Sequence, residues 1–81
     1  MGYKQTVEYA YDLLDHFYHI HENQILSLGK DNILIYIPFE IFELLKTVDS
    51  KGNPDFPTSF KSIDLRAYKG TNVIFGLKEI N

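Results

Sequence analysis

Between residues 3 and 22 apolar side chains recur at intervals of three and four, with polar ones filling the gaps. At about 100° per residue, Tyr3, Val7, Ala10, Leu13, Leu14, Phe17, Ile20 and His21 share one arc of about 140°. Glu8, Asp12, Asp15, His19 and Glu22 fall on the opposite side, at spacings of 4, 3, 4 and 3. Tyr11 and Tyr18 border this polar stripe on one edge, and Tyr9 and His16 border it on the other. The pattern predicts an amphipathic helix of about six turns lying on a core contributed by the rest of the chain.

Residues 25–28 read as a short strand, Gly29-Lys30-Asp31-Asn32 as a turn, and residues 33–37 as a β-branched strand, together a hairpin. Ile33, Ile35 and Ile37 take one face of that second strand, Leu34 and Tyr36 the other. Apolar residues on both faces predict a central strand whose second face is covered or used for contact. Pro38 stops the strand and opens a helix over residues 39–48, with Ile41, Phe42, Leu44, Leu45 and Val48 as its buried stripe. Glu40 and Glu43 suit the positive end of its dipole. An extended reading through Phe42 is the competitor. Residues 49–59 read as an irregular loop in which Phe56, bracketed by Pro54 and Pro57, either plugs the core edge, the favoured reading, or is displayed.

The chain then returns as a second hairpin: residues 60–68, a turn at Lys69-Gly70-Thr71-Asn72, and residues 73–79. Ile63, Leu65 and Ala67 alternate with Ser62, Asp64, Arg66 and Tyr68, while Val73, Phe75 and Leu77 form the inner face of the last strand. Ile74 points outward, beside Tyr68 or Arg66. The order α-β-β-α-β-β predicts one α+β domain over residues 1–81, with two helices packed on one face of a four-stranded antiparallel sheet. It is also a circular permutation of the ferredoxin-like βαββαβ pattern.

Composition narrows the class. At 81 residues and 9.4 kDa the chain buries roughly 60–65% of its unfolded surface. Hydrophobic content of 44% and charged content of 23% argue for a globular domain and against disorder. No apolar run reaches the ~18 residues of a membrane span and no signal peptide opens the chain, so a cytoplasmic protein is expected. Without cysteine there is no disulfide scaffold, thiolate metal cage or thiol nucleophile. Seven lysines against one arginine, with abundant Phe, Tyr, Ile and Asn, reflect AT-rich codons. That bias points to a low-GC bacterium, or to a phage or mobile element of one.

The net charge of −3 is unevenly spread. Residues 1–45 carry two basic side chains against seven acidic ones, −5, and residues 46–81 carry six against four, +2. Such asymmetry marks an interaction surface or a head-to-tail contact; scatter in a short chain is the plain alternative.

Signals for catalysis are weak. Ser27, Ser50, Ser59 and Ser62 lack a glycine-elbow context, and His16, His19 and His21 all fall on the first predicted helix. Gly29, Gly52 and Gly70 are isolated turn glycines, so there is no phosphate-cradling loop. No catalytic residues and no enzyme activity are expected. Asp12/His16 and Asp15/His19 are i,i+4 pairs and Glu22 is near, but zinc takes three or four ligands from more than one element. No metal and no cofactor are therefore expected, and His21 reads as a satisfied core-edge histidine.

The acidic helix face is the strongest functional signal. Glu8–Asp12 and Asp12–Asp15 are like-charge neighbours that cost a few tenths of a kcal/mol each in an isolated helix. Lys4 is the one cation near enough in sequence to offset them. Glu8, Tyr11, Asp12, Asp15, Tyr18, His19 and Glu22 form the expected partner-binding set, suited to a basic groove on a larger protein, including one that normally holds nucleic acid. A solvated face without a partner is the plain reading. Leu34, Tyr36, Arg66, Tyr68 and Ile74 form a second expected surface on the outer sheet face, used by a homo-oligomer or another partner unless a helix covers it.

Lys61, Arg66, Lys69 and Lys78 beside Tyr68 support an alternative, a small nucleic-acid-binding regulator. One arginine and a negative net charge bring little phosphate neutralisation, so direct nucleic-acid binding ranks second. In small size, low-GC composition and an acidic helix the chain is similar to phage and mobile-element accessory proteins such as anti-defence, anti-CRISPR-like inhibitors. That resemblance implies an inhibitor; no motif carries it.

Overall fold

Strand β1 (Ile33–Pro38) occupies an interior position of the sheet because both of its faces are apolar. Ile33, Ile35 and Ile37 are fully buried on one side, and Leu34 is 7% exposed on the other. A computed structural model of the chain describes residues 7–70 and 74–80. Tyr3 and Lys4 of the predicted first helix, and Thr71, Asn72 and Val73 of the predicted last hairpin, lie outside the described residues.

Before β1 come helices α1 (Val7–Ile20) and α2 (Glu22–Leu28) and a 3-10 turn, Lys30–Asn32. After it come α3 (Phe39–Leu44), β2 (Thr47–Val48), β3 (Pro54–Asp55), β4 (Ser59–Phe60), β5 (Ile63–Tyr68) and β6 (Gly76–Glu79). The main sheet has the order β4-β5-β1-β6, and β2 and β3 form a separate two-stranded ribbon. β1 runs parallel to β5 and antiparallel to β6. The class is α+β as expected, but with three helices and a mixed sheet.

Five expectations are corrected. Residues 25–28 are helical, because only Ile25 is buried while Leu26 is 63% exposed and Leu28 half-buried, a spacing of three that suits a helix face. Gly29 closes α2 at a φ of +92°, its N–H donating to the Ile25 carbonyl, and Asn32 donates to the Leu28 carbonyl at 3.0 Å. A φ of +92° disfavours any L side chain, so the turn calls for glycine, and a Cβ there would also press the Asn32 amide nitrogen at 3.0 Å.

The helix after Pro38 stops at Leu44, so Val48, expected in its buried stripe, is 64% exposed on β2. Residues 49–53, expected as irregular loop, form a tight turn between β2 and β3. The Asp49 carboxylate accepts the N–H groups of Lys51 and Asn53 at 2.9 Å each. Phe56 stacks on Phe42 at 4.9 Å, and Phe42 packs against the core, as the core-edge reading required.

The predicted strand over residues 60–68 is broken at Lys61-Ser62. Both have positive φ, 50° and 68°, and they join β4 to β5 as a two-residue hairpin of the kind whose twist matches paired strands. Lastly, β5 and β6 do not pair with each other, since β1 lies between them. The parallel β1–β5 pairing needs a crossover, and residues 39–62, with α3 and the ribbon, supply it.

Ala10, Leu14 and Phe17 of α1, Ile25 of α2, and Ile41 and Leu45 in and after α3 pack with the three isoleucines, Ile63 and Leu65 in one core. Among the described residues that core holds no buried polar side chain. Each fully buried Leu or Ile adds about 1.5–3 kcal/mol of transfer free energy. Ile20, on the predicted apolar arc, is 62% exposed, and Val7 is 42% exposed. His21 separates α1 from α2, where one continuous helix was expected, and its ring is satisfied as the core-edge reading had it: its Nδ1–H donates to the Phe17 carbonyl at 3.0 Å and it lies 4.2 Å from the Phe17 ring.

Candidate functional site

Two surfaces gather the residues singled out by the sequence. The first is the side of α1 turned away from the sheet. Burial of Ala10, Leu14, Phe17 and Tyr18 fixes the helix rotation, and Glu8, Tyr11, Asp12, His16 and His19 are left exposed. Asp15 is half-buried and doubly contacted, by His19 one turn on at 3.5 Å and by Lys61 at 3.6 Å. Lys61 thus supplies, from the β4–β5 turn, a counter-charge that local sequence offered only through Lys4. Glu22 is exposed but belongs to the next helix, α2.

Tyr18 departs from its expected role. It is 8% exposed, its ring edge-on to Phe60 at 6.4 Å, with the ammonium groups of Lys30 and Lys61 at 5.6 and 5.2 Å from its centroid. A side chain so enclosed is a core group and cannot lead a contact. Tyr11, 39% exposed and 6.2 Å from Phe60, remains available on that edge.

The second surface is the outer face of the sheet. The core elements of all three helices pack with the inner face. In register across the outer face run Asp64, Leu34 and Lys78, and then Arg66, Tyr36 and Gly76. Next comes Tyr68, paired with Pro38, its ring at 85° to that of Tyr36 with centroids 6.2 Å apart. Ile74, 64% exposed, lies beside Tyr68 as expected. Leu34, at 7% exposure, is not displayed, contrary to its expected place on this surface.

A cavity of about 560 Å³ opens on this face, lined by Tyr36, Tyr68, Lys69, Ile74, Phe75 and Gly76. Lys78 Nζ lies 5.9 Å from the Tyr36 centroid, and Lys69 Nζ lies 5.0 Å from that of Phe39. Sequence reasoning named Tyr36, Arg66, Tyr68 and Ile74 here but missed Gly76 and Phe39. Gly76 opens β6, and a Cβ there would meet the Tyr36 ring at an ordinary contact distance of 4.0 Å, so the glycine leaves space on this face.

No group of three or more His, Asp or Glu side chains converges among the described residues, so Asp12, Asp15, His16, His19 and Glu22 do not assemble a metal site. No helix among them is long and apolar enough to cross a membrane. Asp49 titrates below the ordinary carboxylate range, chiefly because the Asn53 N–H donates to it, with Lys51 assisting. That is turn chemistry, remote from both surfaces in sequence. No family, no curated protein and no solved structure matches this chain.

Proposed function

We propose that the chain is a small non-enzymatic binding module that docks the exposed side of α1 on a basic surface of a larger protein and thereby inhibits it. The observation that carries the reading is the state of Glu8 and Asp12. They are exposed one turn apart on a helix anchored by four buried side chains, and the Lys61 ammonium reaches Asp15. Carboxylates held on a rigid frame bind with little ordering cost, and charge complementarity steers their association. Tyr11 adds rigid apolar area at the edge, and His19 and Glu22 extend the surface toward α2. A basic groove that ordinarily holds nucleic acid has the matching chemistry, and occupying it is the action of an anti-defence inhibitor.

The test is a charge reversal that spares the fold. Asp15 stays untouched because it holds Lys61. Glu8→Lys/Asp12→Lys is compared with wild type and with Asp55→Lys as a remote control, by crosslinked capture from a low-GC bacterial lysate followed by reconstitution with the purified candidate. A basic protein bound by wild type and control and lost by the double variant, in the lysate and in purified form, supports the reading. Equal binding by all three forms at about 150 mM salt removes it.

A further inference from the structure

We infer that the outer sheet face binds single-stranded nucleic acid, seating one unstacked base against Tyr36 and Tyr68 and meeting the backbone with Arg66, Lys69 and Lys78. This surface lies on the side of the sheet opposite the helices, so the inference does not depend on the role of the acidic face.

Three observations converge on that occupant. The first is shape. The cavity of about 560 Å³ is open to solvent, and Tyr36 and Tyr68, whose rings stand at 85° to each other, both line it. Gly76 sits opposite Tyr36 in register and carries no side chain, so that rung beside the ring is open, and even a Cβ there would lie 4.0 Å from it. The second is charge. Arg66 is paired with Tyr36, and Lys78 and Lys69 hold their ammonium groups 5.9 and 5.0 Å from the rings of Tyr36 and Phe39. The carboxylate in register on this face, Asp64, lies one row away beside Leu34. The third is chemistry. Flat apolar walls with cations at their rim suit a chain that alternates π-faces with phosphates, and stacking of this kind tolerates any base. A second copy laid face to face on this surface fits less well, because an isologous contact would set Arg66, Lys69 and Lys78 against the same three cations.

Fluorescence anisotropy decides it, using oligothymidylate and oligouridylate probes of about 15 nucleotides and a duplex of equal length. Salt is varied from about 20 to about 150 mM. The single strands should bind in preference to the duplex, and an oligodeoxyuridylate of the same length, which differs from oligouridylate in the 2′-hydroxyl alone, identifies the preferred sugar. Three cations predict a slope of log K on log salt of about −2, and Lys69→Ala should reduce it by about 0.7.

Tyr36→Ala should weaken binding about tenfold or more. Gly76→Val should do the same by filling the cavity, and it retains every existing side chain should Tyr36→Ala melt. Glu8→Lys/Asp12→Lys should leave this binding in place, which separates it from the acidic-face reading. Three results would each overturn the inference: no single-strand binding at about 20 mM salt; affinity unchanged in both Gly76→Val and Lys69→Ala; or a light-scattering dimer with the Tyr36 face protected from hydrogen exchange.

Discussion

The Tyr68 hydroxyl meets the backbone of Ile74 twice, donating to its carbonyl at 2.6 Å and accepting its N–H at 3.3 Å. The β1–β6 ladder ends at Tyr36 and Gly76, and the next rung on the same face would set Ile74 opposite Pro38, which has no N–H to offer. The tyrosine reaches over from β5 and serves Ile74 in place of a strand, and the same contact walls the outer cavity. Tyr68→Phe should therefore lower stability by about 0.5–1.5 kcal/mol and speed exchange of the Ile74 amide. Urea unfolding and exchange by NMR read the two effects. An Ile74 amide that exchanges at the wild-type rate contradicts the account.

The Lys61-Ser62 turn carries two side chains in the left-handed region, where each costs on the order of 1 kcal/mol. Ser62→Gly should relieve that strain and raise stability by a few tenths to about 1 kcal/mol. Lys61→Gly relieves the same strain but removes the contacts with Asp15 and Tyr18, so it should gain less than Ser62→Gly. Parallel chemical denaturation of the two variants checks the order.

Ile35 and Ile20 are the same residue type on opposite terms. Ile35 is fully buried at the centre of the sheet, and Ile35→Ala should cost about 2–5 kcal/mol. At about 4–8 °C per kcal/mol for a domain of this size, that is a large loss in Tm. Ile20 is 62% exposed, and Ile20→Ala should stay within about 0.5 kcal/mol. Thermal melts of both variants distinguish the observed packing from the simple helical arc, which places Ile20 inside.

Asp49 gives a pH dependence of definite sign. Its folded pKa is depressed by the N–H groups of Asn53 and Lys51, so its contribution is present above the unfolded pKa and fades as pH falls through the folded one. The β2–β3 turn should loosen in acid, below the ordinary carboxylate range, while the core is still formed. An NMR titration should show the Lys51 and Asn53 amides shifting together, and Asp49→Asn should abolish the shared step.

Much of the local structure was legible. The 3.6-residue period of α1 located its buried and acidic sides, and the double apolar face of β1 marked an interior strand. Satisfaction of His21 and outward projection of Ile74 followed from the same periods. The short runs misled. Residues 25–28 hold too few side chains to separate a period of two from one of three, and Lys61-Ser62 lacks the Asn-Gly signature of its turn. At the candidate surfaces, spacing alone placed Tyr11 and Asp12 on the exposed side of α1 and Tyr36 and Tyr68 on one face of the sheet. The enclosure of Tyr18 was not, because Phe60 and Lys61, which cover it, arrive from more than forty positions away.

Periodicity alone therefore determined which side of each long element is apolar, and that the carboxylates of α1 share a side. Tertiary structure decided what meets those sides: β5 beside β1 in parallel, β6 on its other flank, Lys61 at Asp15, and Tyr68 across Pro38 to Ile74. The physical reason is that a strand's alternation records how its faces are buried and is the same whichever neighbour pairs with it. Strand order and direction are set by crossovers and loop closure, which no local window of residues contains.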